Sequence, residues 1–522
     1  MDTNCKGKMD RIDVFNRAMN WIKENTIDGK GIAYSSKRKI IYPEVTGYYI
    51  PTLLQWGERE LAKSYAQHLC FIQKEDGSWY DSSDKIPYVF DTAQILKGLI
   101  AIYPIMPEVE KHILSGCDWL LSNMDEEGRL VPAWKECFGD DDSYYSELIH
   151  TYCLSPLVKA AELFNKKEYA QAAEKIKNYY IKNYRNKILN FSLLSHFYAY
   201  VMEGLLDMGE EELVREAMGN LEKYQNRKGG IPGLRDVKWV CSTGMFQIAL
   251  VWYKLGELKK GNKIFNYACR FQNESGGWFG SYPASFLNQY SRGRKRAYYF
   301  PSEEISWASK YFLDALAYKE KLEFEEQAPN FLDNIEKEDG RYILIKDLIE
   351  AIGKESEKTV SICDVGCGKG RYLKKLIADF PDYEYYGMDL SERVMQRIDY
   401  VKEKRVGYLT QIPYDDESFD FVYVCEAFEH AIHLEGAFKE LYRIVKKGGK
   451  LAIIDKPIDK LGQMEIDEWE QWISDADIRK YTDDCGGQLE IVESVPYEDK
   501  NDGLFRAWIV TVGGLYNENY YT

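Results

Sequence analysis

Residues 360–370 read Val360-Ser361-Ile362-Cys363-Asp364-Val365-Gly366-Cys367-Gly368-Lys369-Gly370, and this stretch decides the fold of the C-terminal part of the chain. A short apolar strand leads here directly into a loop with three glycines, and the next predicted strand ends in the carboxylate of Asp389. Glycines let the backbone approach a ligand closely, and a carboxylate at the end of a second strand can accept hydrogen bonds from ribose hydroxyls. The pattern predicts a parallel sheet that binds a nucleoside cofactor.

The spacing of the glycines narrows the class of cofactor. A dinucleotide fingerprint, Gly-x-Gly-x-x-Gly, would require a glycine at the position where this chain has Arg371. The observed spacing, with Asp364 two residues before the first glycine, resembles the first motif of class I S-adenosylmethionine-dependent methyltransferases. Later segments resemble that family in the expected order: Tyr386 to Ser391, Gln411 to Val422, Glu426 to His430 and Ala437 to Ile454.

The resemblance implies a Rossmann-like, doubly wound α/β sheet of seven strands, with S-adenosyl-L-methionine as the cofactor. The residues expected to bind it are Asp364, Gly366, Cys367, Gly368, Gly370, Asp389, Leu390, Leu409 and Glu426. Family members often carry an acidic residue shortly before an Ile-Pro or Leu-Pro pair to bind the adenine amino group, but this chain has Tyr408 there. Adenine would then be held by backbone groups near Leu409 and by apolar stacking.

The catalytic expectation follows from the chemistry of methyl transfer. The reaction is an in-line displacement at a sulfonium, so the protein must mainly align two atoms and exclude water. A general base is needed only for a poor nucleophile such as a hydroxyl. His430, just beyond the predicted fourth strand, is the expected base, with Glu429 and His433 as catalytic neighbours. The alternative is that His430 lines the pocket without moving a proton. No metal site is predicted.

The N-terminal part has a different pattern, in which glycine turns recur at a nearly constant interval. Gly29, Gly77, Gly128, Gly230 and Gly277 are separated by 48, 51, 102 and 47 residues, and the gap of 102 equals two periods. Six helix pairs of this length predict an all-α (α/α)6 toroid. The turns at Gly77 and Gly277 resemble the repeat of terpene cyclases and protein prenyltransferases, and many glycan-active enzymes share the toroid.

Polar and aromatic residues collect at the predicted starts of the inner helices, which open at one end of such a ring. They are Glu44, Tyr48, Asp91, Glu147, His150, His196, Glu303, Glu304 and Trp307. Carboxylates at helix starts are also favoured by capping alone. Acids, histidines and aromatic rings at one mouth nevertheless suit a hydroxyl-rich ligand, so the sequence predicts a cleft for a sugar-like molecule.

Composition sets the remaining expectations. The 522 residues should form two domains, a toroid at 1–322 and a methyltransferase domain at 343–522, joined by a linker with a lid helix at 323–342. A net charge of −16, from 68 basic and 84 acidic residues, disfavours nucleic acid as a partner. Scattered cysteines without a C-x-x-C pair predict reduced thiols, and the lack of a long apolar run predicts a cytoplasmic protein without a membrane span.

Together these patterns predict an S-adenosylmethionine-dependent methyltransferase that acts on an oxygen of a sugar or glycoconjugate. The toroid would bind or modify the same glycan, which makes the chain a bifunctional enzyme of glycan biosynthesis. Two alternatives remain open. In the first, the acceptor is a terpenoid or another small natural product; in the second, it is a protein and the toroid is an interaction scaffold. The oligomeric state is not predicted.

Overall fold

The computed structural model describes residues 10–131, 146–284, 299–356, 358–466 and 470–513. The chain divides into two compact units, one made of residues 1–54 with 59–322 and the other of residues 55–58 with 323–522. Within the described ranges, no helix combines the length and the apolar character that crossing a bilayer requires.

The N-terminal unit is built from helices. They are α1 (Arg11–Glu24), α2 (Pro43–Gln55), α3 (Arg59–Ile72), α4 (Val89–Ile102), α5 (Glu110–Ser122), α6 (Leu154–Phe164), α7 (Lys167–Leu189), α8 (Ser195–Asp207), α9 (Glu211–Leu221), α10 (Ser242–Lys254), α11 (Leu258–Cys269) and α12 (Ser306–Gln327). A 3-10 helix at Glu147–Cys153 leads directly into α6. Two small antiparallel sheets pair β1 (Thr26–Ile27) with β2 (Gly31–Ile32) and β3 (Trp239–Cys241) with β4 (Ser281–Pro283).

These helices alternate between an inner and an outer layer. In α4, 12 of the 14 residues are buried, whereas in α3 only 4 of 14 are buried. A helix that is buried on nearly every side belongs to the interior, and an amphipathic one covers it. The glycine turns of the sequence therefore separate helix pairs, each with one inner and one outer member.

The inner helices approach one another closely at glycines. A Cβ atom on Gly98 of α4 would lie 2.1 Å from the carbonyl oxygen of Gly47 in α2. A Cβ on Gly204 of α8 would lie 2.4 Å from the carbonyl oxygen of Thr151 in the 3-10 helix. A Cβ on Gly244 of α10 would lie similarly close to Ser195 at the start of α8. Backbone contact of this kind leaves no room for side chains between neighbouring inner helices.

Further contacts link the last inner helix to the first. The rings of Phe246 in α10 and Phe312 in α12 lie 5.5 Å apart, and the hydroxyl of Tyr49 in α2 donates to the carbonyl oxygen of Ser306 in α12 at 2.5 Å. The inner helices thus contact one another in chain order, and the final one returns to the first.

The C-terminal unit contains a seven-stranded sheet with the order β10-β11-β9-β8-β5-β6-β7. Its strands are β5 (Ser361–Val365), β6 (Glu384–Asp389), β7 (Glu403–Val406), β8 (Phe419–Cys425), β9 (Val445–Asp455), β10 (Gln488–Val492) and β11 (Arg506–Thr511). β11 pairs antiparallel with both neighbours, and the other pairs are parallel. Its helices are α13 (Gly340–Glu355), α14 (Leu373–Asp379), α15 (Leu434–Arg443) and α16 (Asp475–Cys485). The predicted seven-stranded, mostly parallel sheet is confirmed.

The order of the strands fixes where a ligand can bind in this unit. The chain runs from β5 outward to β6 and β7, then returns to β8 and β9 on the other side of β5. A crevice forms at such a reversal, outside the carboxyl ends of the strands. The glycine loop after β5, Asp389 at the end of β6 and the residues after β8 and β9 all lie at this edge.

The segment between the two predicted domains differs from expectation, because it contains no separate lid helix. Helix α12 continues to Gln327, a short 3-10 turn follows at Ala328–Asn330, and no helix forms again before α13. The Nζ of Lys369 donates to the carbonyl oxygens of Pro329 at 3.1 Å and Phe331 at 2.6 Å. These two carbonyl oxygens therefore accept hydrogen bonds from a residue of the glycine loop and not from a helix within the segment.

Replacing Gly98 with alanine should destabilise the N-terminal unit. The new Cβ would meet the backbone of Gly47, so α2 and α4 would have to separate, at a cost of about 1–3 kcal/mol. Thermal unfolding followed by circular dichroism should show this loss. Gly219→Ala in α9 is the matched control, because a Cβ there has no neighbour within 4 Å and a helical alanine should stabilise by about 0.5–1 kcal/mol. Equal melting behaviour of the two variants would contradict the close packing.

Candidate functional site

The glycine loop after β5 folds into a cradle that only glycine adopts readily. Gly366, Gly368 and Gly370 have positive φ angles of 77°, 54° and 78°. The N–H groups of Gly366 and Cys367 both donate to the carbonyl oxygen of Met388, at 2.8 and 3.0 Å. This pair of bonds attaches the loop to the end of β6, where Asp389, the residue predicted to bind ribose, lies.

Asp389 is held over the loop by backbone donors. Its Oδ2 accepts from the N–H of Gly368 at 2.9 Å, and its Oδ1 accepts from the N–H of Ser391 at 3.0 Å. Burial raises the pKa of Asp389, and these N–H groups act against the rise. A Cβ on Gly368 would have only Val394 nearby, at 4.0 Å, so the loop leaves room for a ligand beside the carboxylate. The arrangement fits a bound nucleoside.

Two of the residues predicted for the cofactor have buried side chains. Cys367 is 4% exposed and packs near Gly387, so its backbone is the part that can reach a ligand. Asp364 is also buried, and its Oδ2 has no hydrogen-bond partner among the described residues. Burial raises the pKa of Asp364 to about 7, although Tyr423 and Arg371 act to lower it. The contact of these two residues with the cofactor stays a prediction.

Glu426, at the end of β8, is engaged by two arginines. It adopts a positive φ of 54°, and its Oε2 pairs with Arg371 and, at 2.9 Å, with Arg341 of α13. Burial opposes ionisation of Glu426, but the charges of Arg371 and Arg341 outweigh it and lower the pKa. The two guanidinium groups suit a carboxylate such as that of an amino acid. In the sequence, Arg371 is noticed only because it stands where a dinucleotide fingerprint has its third glycine, and Arg341 is not predicted as a site residue.

The residues expected near adenine follow β6 and β7. Leu390, directly after Asp389, is half-buried, and Leu409 packs against the apolar core on that side of the sheet. Tyr408, in the position of the missing acid, pairs in a short bridge with Gln411. The side chains here are apolar or aromatic, as stacking against a base requires.

A polar cluster follows the carboxyl ends of β8 and β9. The N–H of Glu429 donates to Oδ2 of Asp455 at 3.0 Å, and the Nζ of Lys456 donates to Oε1 of Glu429. The Nε2 of His430 lies 3.8 Å from the same Oε1, and its ring packs edge-on against Phe324. Burial and Lys456 lower the pKa of His430 to about 3, so its imidazole is neutral at physiological pH. His430 therefore lies beside Glu429 and has low basicity, and its role as a base stays a prediction.

His433 is held by backbone. Its Nδ1 lies 2.7 Å from the carbonyl oxygen of Trp56, which belongs to the same compact unit. A carbonyl partner fixes the proton on Nδ1 and therefore the orientation of the ring. The catalytic role expected for His433 stays a prediction.

The N-terminal unit contains a pocket of about 360 Å³. Five of the nine residues predicted for the cleft line it: Glu44, Tyr48, Asp91, His196 and Trp307. The other lining residues are Tyr34, Tyr42, Phe90, Ile149, Phe197, Tyr200, Tyr299 and Phe300. The lining is therefore mainly aromatic, with two carboxyl groups.

The two carboxyl groups of this pocket are strongly affected by burial. Burial raises the pKa of Glu44 to about 7, although the hydroxyl of Tyr42 and the charge of Lys310 act to lower it. Burial and the charge of Glu44 raise the pKa of Asp91 well above its usual range. At neutral pH the pair retains at least one proton, so one acid can donate a proton while the other accepts one.

The other four predicted cleft residues are not part of the pocket lining. Each is held by a partner of its own: Glu147 by Arg129, His150 by Tyr180, Glu303 by Ser35 and Glu304 by Trp21. The sequence locates the start of a helix, but it does not say which way each side chain there points.

Several lining residues were not predicted. The rings of Tyr34 and Tyr42 are stacked with centroids 4.7 Å apart, and the ring of Trp307 meets Tyr34 edge-on at 5.3 Å. Tyr200 lies one helical turn after His196, with ring centroids 4.4 Å apart. Sequence spacing could have identified two of them. Tyr42 lies two residues before Glu44, and Tyr200 lies four residues after His196.

Comparison with known proteins concerns the C-terminal unit. Residues 363–453 match the sequence model of a family described as "Methyltransferase domain". A sterol 24-C-methyltransferase of Pneumocystis carinii is 35% identical over 101 residues, which cover 18% of this chain and 26% of that protein. One from Neurospora crassa is 33% identical over 108 residues, with 19% and 28% covered. The chain thus spans about a quarter of the length of the curated relatives it matches.

Solved structures give low similarity over the same part. An S-adenosylmethionine-dependent methyltransferase from Aquifex aeolicus is 21% identical, with a TM-score of 0.25, 32% of this chain and 90% of that chain covered. The magnesium protoporphyrin IX methyltransferase of Synechocystis, solved with bound S-adenosylmethionine, is 16% identical, with a TM-score of 0.25 and coverages of 33% and 80%.

The family match falls on the glycine loop, Asp389, Glu426 and the cluster after β8, which are the elements that form the site at the carboxyl edge of the sheet. Residues 363–453 are a methyltransferase domain, and its cofactor is S-adenosyl-L-methionine.

Proposed function

We propose that the whole chain is a methyltransferase that transfers the methyl group of S-adenosylmethionine to a hydroxyl of a small, sugar-like acceptor. The observation that carries the proposal is the polar cluster beyond the donor site, where Glu429, His430, Asp455 and Lys456 lie at the same sheet edge as Asp389. A hydroxyl is a poor nucleophile and needs a group that takes its proton during the transfer.

The residues of the C-terminal unit have separable tasks in such a reaction. S-adenosylmethionine supplies the activated methyl group when bound. Asp389 would accept hydrogen bonds from its ribose, and Arg371 with Arg341 would neutralise its amino-acid carboxylate. Holding both ends of the donor orients the sulfonium toward the acceptor, which is the main requirement of an in-line transfer.

We further propose that the N-terminal unit is an (α/α)6 toroid whose pocket holds a sugar ring. The closed sequence of contacts among inner helices supports the ring. The stacked tyrosines Tyr34 and Tyr42, with Trp307 beside them, offer apolar faces to a sugar ring, and Glu44 with Asp91 can bond its hydroxyls. We place the protein in glycan tailoring in the cytoplasm on this basis.

The alternative acceptor is an apolar natural product. The relatives in the comparison are named as sterol 24-C-methyltransferases, and most of the pocket lining is aromatic. Two buried carboxyl groups would be a cost for a purely apolar ligand, which favours the sugar. A protein acceptor, with the N-terminal unit as a scaffold, would leave Glu44 and Asp91 without a role.

The acceptor class can be tested with methyl-labelled S-adenosylmethionine and purified full-length protein. Methyl glycosides, sterols and peptides would be offered in parallel. We expect an alkali-stable methyl ether on a glycoside, and at least a tenfold loss of transfer in Asp91→Asn. Exposed Glu108→Gln is the control for a carboxylate change in the same unit. Labelled sterol or labelled peptide as the sole product would replace the proposal with the corresponding alternative.

Asp389→Ala should weaken S-adenosylmethionine binding by at least about 30-fold in titration calorimetry, because it removes two charge-assisted hydrogen bonds to ribose. Asp382→Ala, in the exposed turn before β6, removes the same charge from the same unit and should bind normally. If Asp389→Ala binds as tightly as the wild type, the ribose contact is not made.

Glu44→Gln should stabilise the protein increasingly as pH rises. The folded-state pKa of about 7 exceeds the ordinary value of 4.5, so the folded protein binds the proton more tightly than the unfolded chain does. The wild type therefore loses stability between about pH 4.5 and pH 7, and the variant does not. The expected relative gain at pH 8 is on the order of 2–3 kcal/mol. Urea unfolding at pH 4.5 and pH 8 measures it, and a pH-independent difference would show that Glu44 is not buried as an acid.

A further inference from the structure

Three potential metal ligands converge beside the methyl-donor site. One ligand atom each from Glu429, His430 and Glu470 lies within 4.8 Å of the other two. The segment that carries Glu470 is fixed by its neighbour Gln471, whose N–H donates to the carbonyl oxygen of Glu429 at 2.9 Å. The side chain of Gln471 also donates to the carbonyl oxygen of Ile432, at 3.1 Å. These two hydrogen bonds of Gln471 therefore hold Glu470 beside Glu429 and His430.

Within this cluster, polar atoms are buried without a hydrogen bond. Glu429 has a side chain that is only 1% exposed, and its Oε2 has no partner among the described residues, although its Oε1 accepts from Lys456. The Nδ1 of His430 is likewise buried without a described partner. Leaving such atoms unpaired costs about 1–3 kcal/mol each, so two of them in neighbouring residues indicate a missing ligand.

The atoms of the cluster indicate the kind of ligand. The carboxyl groups of Glu429, Asp455 and Glu470 lie around the ammonium group of Lys456. Carboxylate oxygens and imidazole nitrogens donate electron pairs to metal cations. A cation would therefore satisfy the unpaired Oε2 of Glu429 and Nδ1 of His430 together.

We propose that Glu429, His430 and Glu470 bind one divalent metal ion at the carboxyl edge of the sheet. Two carboxylate oxygens with one imidazole nitrogen form a mixed set that suits Mn²⁺ and other first-row divalent ions better than an all-oxygen site would. Ligand atoms in such sites lie about 2.0–2.2 Å from the metal, so donors within 4.8 Å of one another can share one ion with small side-chain adjustments. This differs from the sequence expectation of no metal site, because Glu470 lies 40 residues from His430 in the chain.

The role of this ion rests on the proposed function. A cation at the end of β8 would hold an acceptor hydroxyl and favour loss of its proton. The oxygen would attack the methyl carbon as the carbon–sulfur bond breaks, the electron pair of that bond would stay on sulfur, and the hydroxyl proton would pass to water.

The test uses full-length protein dialysed against EDTA and titrated with Mn²⁺. Electron paramagnetic resonance should show one equivalent of Mn²⁺ bound per chain, with spin-echo modulation from a directly bound histidine nitrogen. His430→Phe, which keeps a ring against Phe324, should abolish the nitrogen modulation. Glu470→Gln should weaken Mn²⁺ binding by at least about tenfold.

Glu465→Gln is the matched control, since Glu465 is exposed in the same stretch of chain and should bind Mn²⁺ like the wild type. Melting curves and S-adenosylmethionine titrations of each variant check that it folds. Absence of stoichiometric Mn²⁺ binding, or binding unchanged in both His430→Phe and Glu470→Gln, would overturn the metal site.

The two proposals fail in different ways. If no Mn²⁺ binds but the protein still binds S-adenosylmethionine and transfers its methyl group, the metal site is rejected and the proposed function is retained. Bound Mn²⁺ with the expected nitrogen signal, but no methyl transfer to any glycoside, would uphold the site and reject the proposed acceptor.

Discussion

The C-terminal unit depends on the attachment of the glycine loop to the end of β6. Met388 accepts two backbone N–H groups from the loop, and the neighbouring Asp389 accepts a third. These bonds place the half-buried carboxylate of Asp389 over a turn that glycines adopt readily, and the sheet order brings the ends of β8 and β9 to the same edge. The donor site therefore depends on the local connection between β5 and β6, and the position of the polar cluster depends on the strand order.

In the N-terminal unit, by contrast, the buried carboxyl groups of the pocket lie among side chains and not beside a glycine loop. Its inner helices approach closely at glycines, which leaves little room for side chains between them. Glu44 and Asp91 are held there among aromatic rings at a cost in stability. Groups kept in an unfavourable state by a rigid surrounding are typical of functional sites.

The sequence predicted the sheet and the donor loop well, because both rest on local patterns: glycine spacing, apolar strands and a carboxylate at a strand end. It predicted the direction of side chains poorly. Glu147 and Glu304 lie at the predicted helix ends, but their side chains bind Arg129 and Trp21 and do not line the pocket. Contacts between residues far apart in the chain, such as Arg341 with Glu426, leave no local pattern to read.

The bond between Lys369 and the carbonyl oxygens of Pro329 and Phe331 makes the connecting segment part of the donor loop. Lys369 stands between two of the loop glycines, so a displacement of the loop is passed directly to residues 329–331. A change in the length of the segment after α12 would therefore strain or break these two bonds, so the segment and the loop are coupled in structure.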